Sequence, residues 1–321
     1  MTRLKSWHLF AIGVLIWGTT WHAITYQIDH TAPDVGVALR FALAGVAALV
    51  WCALRGLPLR FKLRDHALFA LQGVFMYGVS YICVYEAERH LPSGLVAVGY
   101  SASPLITGLG AQWLFGVQVS ARFIAGGLLG LAGVALIFWP EFGAAAGSQR
   151  TALGALFTVA SVLLSTIGSL TASRNRERGL PLWPALGYGM LYGALSCGLI
   201  ALAMGRSFAL PAVVSWWASL FYLAIAGSVL TFACFLTLQD RVGPGPTGAI
   251  GVMTPLLALV VSLAFEGYRP DGLTAAGAAL AVLGNVLMLR PRSVRAGRAG
   301  HSGFGKLGAT SSVKAAAAAR E

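Results

Sequence analysis

Apolar residues in this chain neither alternate with polar ones nor recur at every third or fourth position. They run in blocks of about 20 residues, enough to cross a hydrocarbon core of roughly 30 Å at about 1.5 Å of rise per helical residue. Short breaks carrying charge, proline or glycine separate the blocks. The strands of a membrane barrel would instead alternate in runs of about ten, so the pattern predicts helices. Reading between the breaks places them near residues 8–27, 34–54, 66–85, 93–115, 121–139, 152–172, 183–203, 212–238, 246–265 and 272–289. The expected fold is an all-α integral membrane protein with ten transmembrane helices.

Composition excludes the soluble alternative. The chain is 57% hydrophobic and 11% charged, where a soluble domain carries about 25% charged residues. Its net charge of +12 would suggest a nucleic-acid partner in a soluble protein, but the basic residues lie between the blocks and in the tail. With the N-terminus inside, eighteen of them fall in cytoplasmic segments, and only Arg89, Arg150, Arg206 and Arg269 fall in outer loops. That asymmetry predicts both termini in the cytoplasm, the lipid bilayer as partner and no nucleic acid. Arg3 and Lys5 before an apolar run resemble a signal peptide, yet no small-residue cleavage site follows, so the run is read as a retained first helix. Cys52, Cys83, Cys197 and Cys234 stand singly in apolar blocks, with no CxxC and no ligand spacing, and read as small hydrophobes. No metal or other cofactor is expected, and the oligomeric state is not readable.

A shift of 151 residues superposes Pro33 on Pro184, Gly36 on Gly187, Cys83 on Cys234, Gly94 on Gly245, Pro104 on Pro255, Gly126 on Gly277 and Gly133 on Gly284. One offset thus relates two sets of five helices. Five is odd, so the second copy is expected to enter the membrane from the opposite side, giving two inverted five-helix repeats. The charges agree. The loop with Arg55, Arg60, Lys62 and Arg64 corresponds to one holding Arg206, and the loop with Asp29 and Asp34 to one with Arg174, Arg176 and Arg178. The expected organisation is a first repeat over 1–140, a second over 150–290 and a disordered basic cytoplasmic tail over 291–321, rich in Gly, Ala, Ser and Arg.

Several short motifs recur in order. They are Trp17-Gly18-Thr19-Thr20, Arg40, Ser103-Pro104 with Thr254-Pro255, Phe265-Glu266-Gly267, and the glycine pairs Gly126/Gly133 and Gly277/Gly284. Over residues 8–290 the chain resembles the twice-repeated EamA domain of the drug/metabolite transporter superfamily. The resemblance implies a ten-helix bacterial inner-membrane carrier, an exporter of amino acids or other small metabolites working by alternating access. One departure stands out. The acidic residue usual after the fourth helix of each half is present as Glu266, but its partner position is Phe115.

Candidate binding residues follow from helix breaks and polar stripes. Pro104 and Pro255 fall near the middles of the fourth and ninth helices and free the carbonyls of Tyr100 and Gly251. Interrupted helices at matching places point to a central site, although prolines that merely kink packed helices would leave the same sequence. Tyr77, Tyr81 and Glu88 share one face of the third helix, and Tyr100, Ser103 and Thr107 one face of the fourth. Trp17 and Thr20, with Thr231, Met253 and Thr254 from the second half, complete a lining of aromatic walls and hydroxyls. Arg40 and His22 are the basic side chains well inside spans, and a lipid-facing Arg there is costly. Arg40 either faces the cavity and favours a carboxylate or ties its helix to backbone carbonyls. His22 either carries a coupling proton or packs through hydrogen bonds. Glu86, Glu88 and Glu266 lie near outer ends, where solvated charge is the default.

No catalytic residue is expected. Gly243-Pro244-Gly245-Pro246-Thr247-Gly248 matches GxGxxG, but no strand precedes it and two prolines occupy it. The chain has no GxxxxGK[ST], HExxH or GxSxG. The reading is a gradient-driven transporter of a small-molecule substrate. Its rivals are a membrane-embedded enzyme and a channel or assembly subunit without transport activity. For the topology, a reporter fused after Glu321 or within the Leu59–Lys62 loop is expected to report the cytoplasm. A periplasmic signal from either would reverse the orientation.

Overall fold

The computed structural model describes residues 4–116, 118–143, 149–242, 249–267 and 269–289. The tail and the GxGxxG match lie outside them. Every regular element among the described residues is a helix. In chain order they are α1 (Ser6–Ile28), α2 (Pro33–Leu54), α3 (Leu63–Glu88), α4 (Ser93–Phe115), α5 (Ala121–Gly143), α6 (Gln149–Glu177), α7 (Leu182–Ala203), α8 (Val214–Leu238), α9 (Ala249–Phe265) and α10 (Gly272–Leu289). Seven of these, α1 to α4 and α6 to α8, are long and apolar enough to cross a membrane. The other three contribute shorter apolar stretches, Ala121–Ile137, Met253–Phe265 and Gly272–Met288.

Positions follow the apolar blocks closely, with two informative extensions. α3 runs on to Glu88, and α6 runs on to Glu177, so that Arg174 and Arg176 occupy its last turn rather than a loop. Cations there complement the negative end of the helix dipole. Gly116 after α4 and Gly267 after α9 both adopt positive φ, at 69° and 65°. These are the left-handed positions that terminate helices and that glycine reaches without strain.

Glycines decide which helices pair. On α5, a Cβ at Gly133 would lie 2.5 Å from the Ala281 nitrogen and the Gly277 oxygen of α10, and one at Gly126 would lie 2.5 Å from the Gly284 oxygen. On α2, a Cβ at Gly45 would stand 2.9 Å from the Gly187 oxygen of α7. Gly189 and Gly193 of α7 face Tyr77 and the Gly73–Gly78 stretch of α3 in the same way. Without a hydrophobic driving force between helices in lipid, close backbone approach is the main source of attraction. Two of these seams, α5 with α10 and α2 with α7, join helices that the 151-residue offset makes equivalent.

Two helices leave α geometry in mid-course. α3 contains a π-helical segment at Val74–Gly78 and α8 one at Tyr222–Leu230. The offset carries the first onto residues 225–229, inside the second. α4 is interrupted differently, by a 3-10 turn at Tyr100–Ala102, after which Ser103 and Pro104 open a new α-helical stretch. The matching Pro255 does not interrupt α9, which stays α-helical through it. The expected pair of proline breaks is therefore present in one half only. The glycine seam gives a direct test. Gly133→Ala is expected to lower thermal stability in detergent by about 1–3 kcal/mol, the usual range for overpacking. Gly198→Ala, whose Cβ would meet nothing within 4 Å, is expected to be neutral or mildly stabilising, since Ala is the better helix former. Equal effects of the two would contradict the seam.

Candidate functional site

The π segment of α8 frees backbone carbonyls inside an apolar bundle, and each must find a donor. Ser228 Oγ donates to the Leu223 carbonyl at 2.9 Å, and Thr231 Oγ1 donates to that of Ala226 at 2.6 Å. The indole nitrogen of Trp17 crosses from α1 to donate to the Gly227 carbonyl at 3.2 Å. Thr20, whose hydroxyl donates back to Trp17 at 2.8 Å, lays its methyl group against Gly227. The sequence motif on α1 is thus docked onto the irregular backbone of α8.

Arg40 meets the same segment from α2. It is 1% exposed. Its Nε donates to Ser228 Oγ at 3.1 Å and its Nη1 to Tyr85 Oη at 3.5 Å. The guanidinium carbon lies 4.8 Å from the Tyr81 ring centroid and 5.1 Å from that of Phe41. Among the described residues its partners are therefore side-chain hydroxyls and aromatic faces, with no backbone carbonyl and no carboxylate. Such contacts orient a buried cation, each ring contributing about 0.5–2 kcal/mol, without neutralising it.

Around this guanidinium stands one aromatic cluster. Tyr77 is fully buried, accepts from Gln72 Nε2 at 3.4 Å, and packs on Phe41 and Phe232 with centroids at 5.5 and 5.1 Å. Tyr81 crosses Phe41 at 4.8 Å. Trp17 meets Phe232 and Phe235 at 5.2 and 5.3 Å, and Trp21 meets Tyr100 at 5.3 Å. Tyr81 and Tyr100 pack against this cluster and are partly buried.

Of the residues singled out from sequence, the structure brings together Trp17, Thr20, Arg40, Tyr77, Tyr81, Tyr100 and Thr231. Ser103 opens the second stretch of α4, one turn from Tyr100. Thr254 on α9 is buried, its hydroxyl without a partner among the described residues. Met253 beside it is 43% exposed and outside the aromatic cluster. Pro104 lies near Gly251, so α4 and α9 approach at their prolines.

His22 belongs to a second centre. Its Nδ1 is 3.0 Å from Glu266 Oε1. Ser262 Oγ donates to Glu266 Oε2 at 2.8 Å, the Ser93 backbone N–H donates to the same oxygen at 3.0 Å, and the Ser93 hydroxyl donates to Oε1. Ser93 begins α4, so the carboxylate sits at a helix N-terminus, where backbone N–H groups and the dipole favour an anion. Burial pushes the Glu266 carboxyl up, but hydrogen bonds from Ser93, His22 and Ser262 outweigh it and hold the group below the ordinary carboxylate range. Glu266 is thus a half-buried clamp joining α1, α4 and the end of α9, where a solvated charge was expected. Glu88 also departs from that expectation, being 7% exposed.

Sequence reasoning passed over Phe41, Tyr85, Ser228 and Phe232. The signal was available in the repeat. The 151-residue offset carries the α3 stripe Tyr77, Tyr81 and Tyr85 onto Ser228, Phe232 and Leu236 of α8, all three of which bound this site.

Comparison with known proteins agrees with this architecture. The sequence profile described as the EamA-like transporter family matches residues 5–139 and again 152–290. The chain is 27% identical over 268 residues to a protein of Escherichia coli (strain K12) named as an uncharacterized inner membrane transporter, YedA, covering 81% of this chain and 82% of that one. It is 27% identical over 268 residues to Protein PecM of Dickeya dadantii, with 82% and 84% covered, and 23% identical over 276 residues to Protein PagO of Salmonella typhimurium, with 84% and 87% covered. One crystal structure superposes with a TM-score of 0.66 at 19% identity, covering 88% of this chain and 96% of that one, which shows a shared fold.

The clamp predicts a pH dependence. A carboxyl held below its unfolded value stabilises the fold above the ordinary carboxylate range, and the contribution is lost as pH falls through the folded value. Glu266→Gln is expected to lower the melting temperature in detergent near neutral pH, and the gap from wild type should close below about pH 4. A gap that stays constant with pH would mean the ionised carboxylate is not what stabilises the fold.

Proposed function

The chain belongs to the EamA-like transporter family, and from that premise we propose that it is a secondary carrier that exports small metabolites bearing a carboxylate, such as amino acids, by alternating access about the Arg40 cluster. It would act in the inner membrane of a bacterium, with ten spans and both termini in the cytoplasm. The observation that carries this reading is Arg40, a buried cation held, among the described residues, only by neutral groups at the junction of α1, α2, α3 and α8. An ionisable group inside a membrane bundle faces protein or water and marks a solute pathway. A guanidinium with no carboxylate partner retains the charge and fork geometry that bind one.

The 151-residue repeat supports the mechanism. Offset-equivalent helices pack against each other, α2 on α7 and α5 on α10, and the two π segments occupy equivalent places in α3 and α8. If the halves exchange conformations, an inward-open arrangement becomes an outward-open one around a site that stays between them. The aromatic walls would enclose the apolar part of the solute, and Arg40 would orient its carboxylate.

Flux measurement tests the proposal. Proteoliposomes preloaded with unlabelled amino acid are expected to accumulate the labelled one by counterflow, saturably and in competition with related acids. Tyr81→Ala and Tyr100→Ala are expected to weaken apparent affinity about tenfold, equivalent to about 1.4 kcal/mol. Trp113→Ala, at a residue 85% exposed, is expected to leave it unchanged. Unsaturable flux would indicate a channel. Saturable flux untouched by either tyrosine variant would move the site elsewhere.

A further inference from the structure

Glu88 is the last residue of α3, one turn beyond Tyr85 and two beyond Tyr81. Both its carboxyl oxygens are enclosed, and neither has a hydrogen-bond partner among the described residues. Glu86, two positions earlier, shows the contrast, lying part-buried and 3.2 Å from Arg89 Nη1. Glu88 occupies the negative end of its helix dipole, and its neighbour Ala87 packs into an apolar cluster with Leu91 and Leu95. An anion so placed has lost its hydration and gained nothing in exchange, whereas a neutral carboxylic acid suffers far less.

The charged and titratable groups that bear on Glu88 come from three directions. Arg40 approaches from α2, and Glu266 from the end of α9 with His22 of α1 already paired to it. Tyr85 lies on its own helix and already accepts from Arg40. α6 also packs against α3, with Gly168 on Met76, whereas its Thr158 and Thr166 meet Gly99 and Thr107 of α4. Glu266 repels a charge on Glu88, and Arg40 is the cation that could balance one. A π segment at Val74–Gly78 interrupts α3 upstream of Glu88, an irregularity of the kind that recurs at functional sites.

We propose that Glu88 is the proton-exchange site of the carrier. In the closed arrangement it holds a proton. When the end of α3 moves, the carboxylate reaches water or Arg40 and releases it. The proton enters from water on one side and leaves to water on the other, once per cycle, and only the carboxyl O–H bond forms and breaks. The inference rests on the carrier reading above and deepens it by assigning the coupling ion and the residue that carries it.

The test separates the two readings. Infrared difference spectra of purified protein in liposomes, recorded between acid and alkaline buffer without solute, are expected to show a carboxylic-acid carbonyl band that disappears on alkalinisation. The band should be missing in Glu88→Gln, kept in Glu86→Gln and displaced in frequency in Glu88→Asp, which serves if Glu88→Gln does not fold. In the proteoliposomes described above, an imposed pH gradient should drive net amino-acid flux by the wild type, and Glu88→Gln should keep counterflow while losing the response to the gradient. No titrating band, or a band unchanged in Glu88→Gln, overturns the proposal whether or not amino acids are transported. Gradient-driven flux retained in Glu88→Gln also overturns it. Absence of amino-acid flux beside a Glu88-dependent band would reject the substrate class and leave the proton site standing.

Discussion

Inside a hydrocarbon layer no water is available to satisfy a backbone N–H or C=O, and that constraint governs the rest of this molecule. Regular α-helix meets it automatically, which is why the described elements are helical. Where the helix departs from α geometry, side chains have to supply what the backbone no longer does. The π segment of α8 draws hydroxyls from Ser228 and Thr231 and an indole N–H from Trp17. Arg40 then bonds to Ser228 itself. The candidate site is therefore built on a local failure of helical hydrogen bonding, and its polar residues repair that failure.

Charge is handled in two contrasting ways. Glu266 has four donors to its two oxygens and lies at the start of α4, so its charge is compensated and serves to hold helices together. Arg40 and Glu88 are each buried more deeply, and no ion pair involves either among the described residues. A fully compensated charge is structural, because moving it would break several strong bonds at once. Ionisable groups left without an ionic partner in a low-dielectric interior are sensitive to whatever arrives beside them.

Packing joins these centres into one body. The glycine seams between α2 and α7 and between α5 and α10 allow backbone-to-backbone contact, leaving little freedom for those pairs to slide. The interrupted helices α3, α4 and α8 lie around the aromatic cluster and carry most of its side chains.

The sequence by itself determined the helices, because block length and hydropathy suffice where the solvent forces one backbone solution. Their positions follow the apolar blocks to within a few residues, and two pairs of helices related by the 151-residue offset, α2 with α7 and α5 with α10, lie against each other. Part of the cluster around Arg40 was legible too, since Trp17, Arg40, Tyr77, Tyr81 and Thr231 are polar or aromatic residues in stretches that otherwise reject polarity. Only the tertiary structure decided the rest. Whether a proline breaks its helix depends on neighbours, so Pro104 follows a break while α9 runs straight through Pro255. The π segments carry no proline to announce them. Whether a carboxylate near a helix end is solvated, clamped or enclosed is set by residues far away in the chain. Glu86, Glu88 and Glu266 look alike in sequence and meet those three different fates because Arg89 faces the first, the enclosed end of α3 surrounds the second, and Ser93 with His22 holds the third.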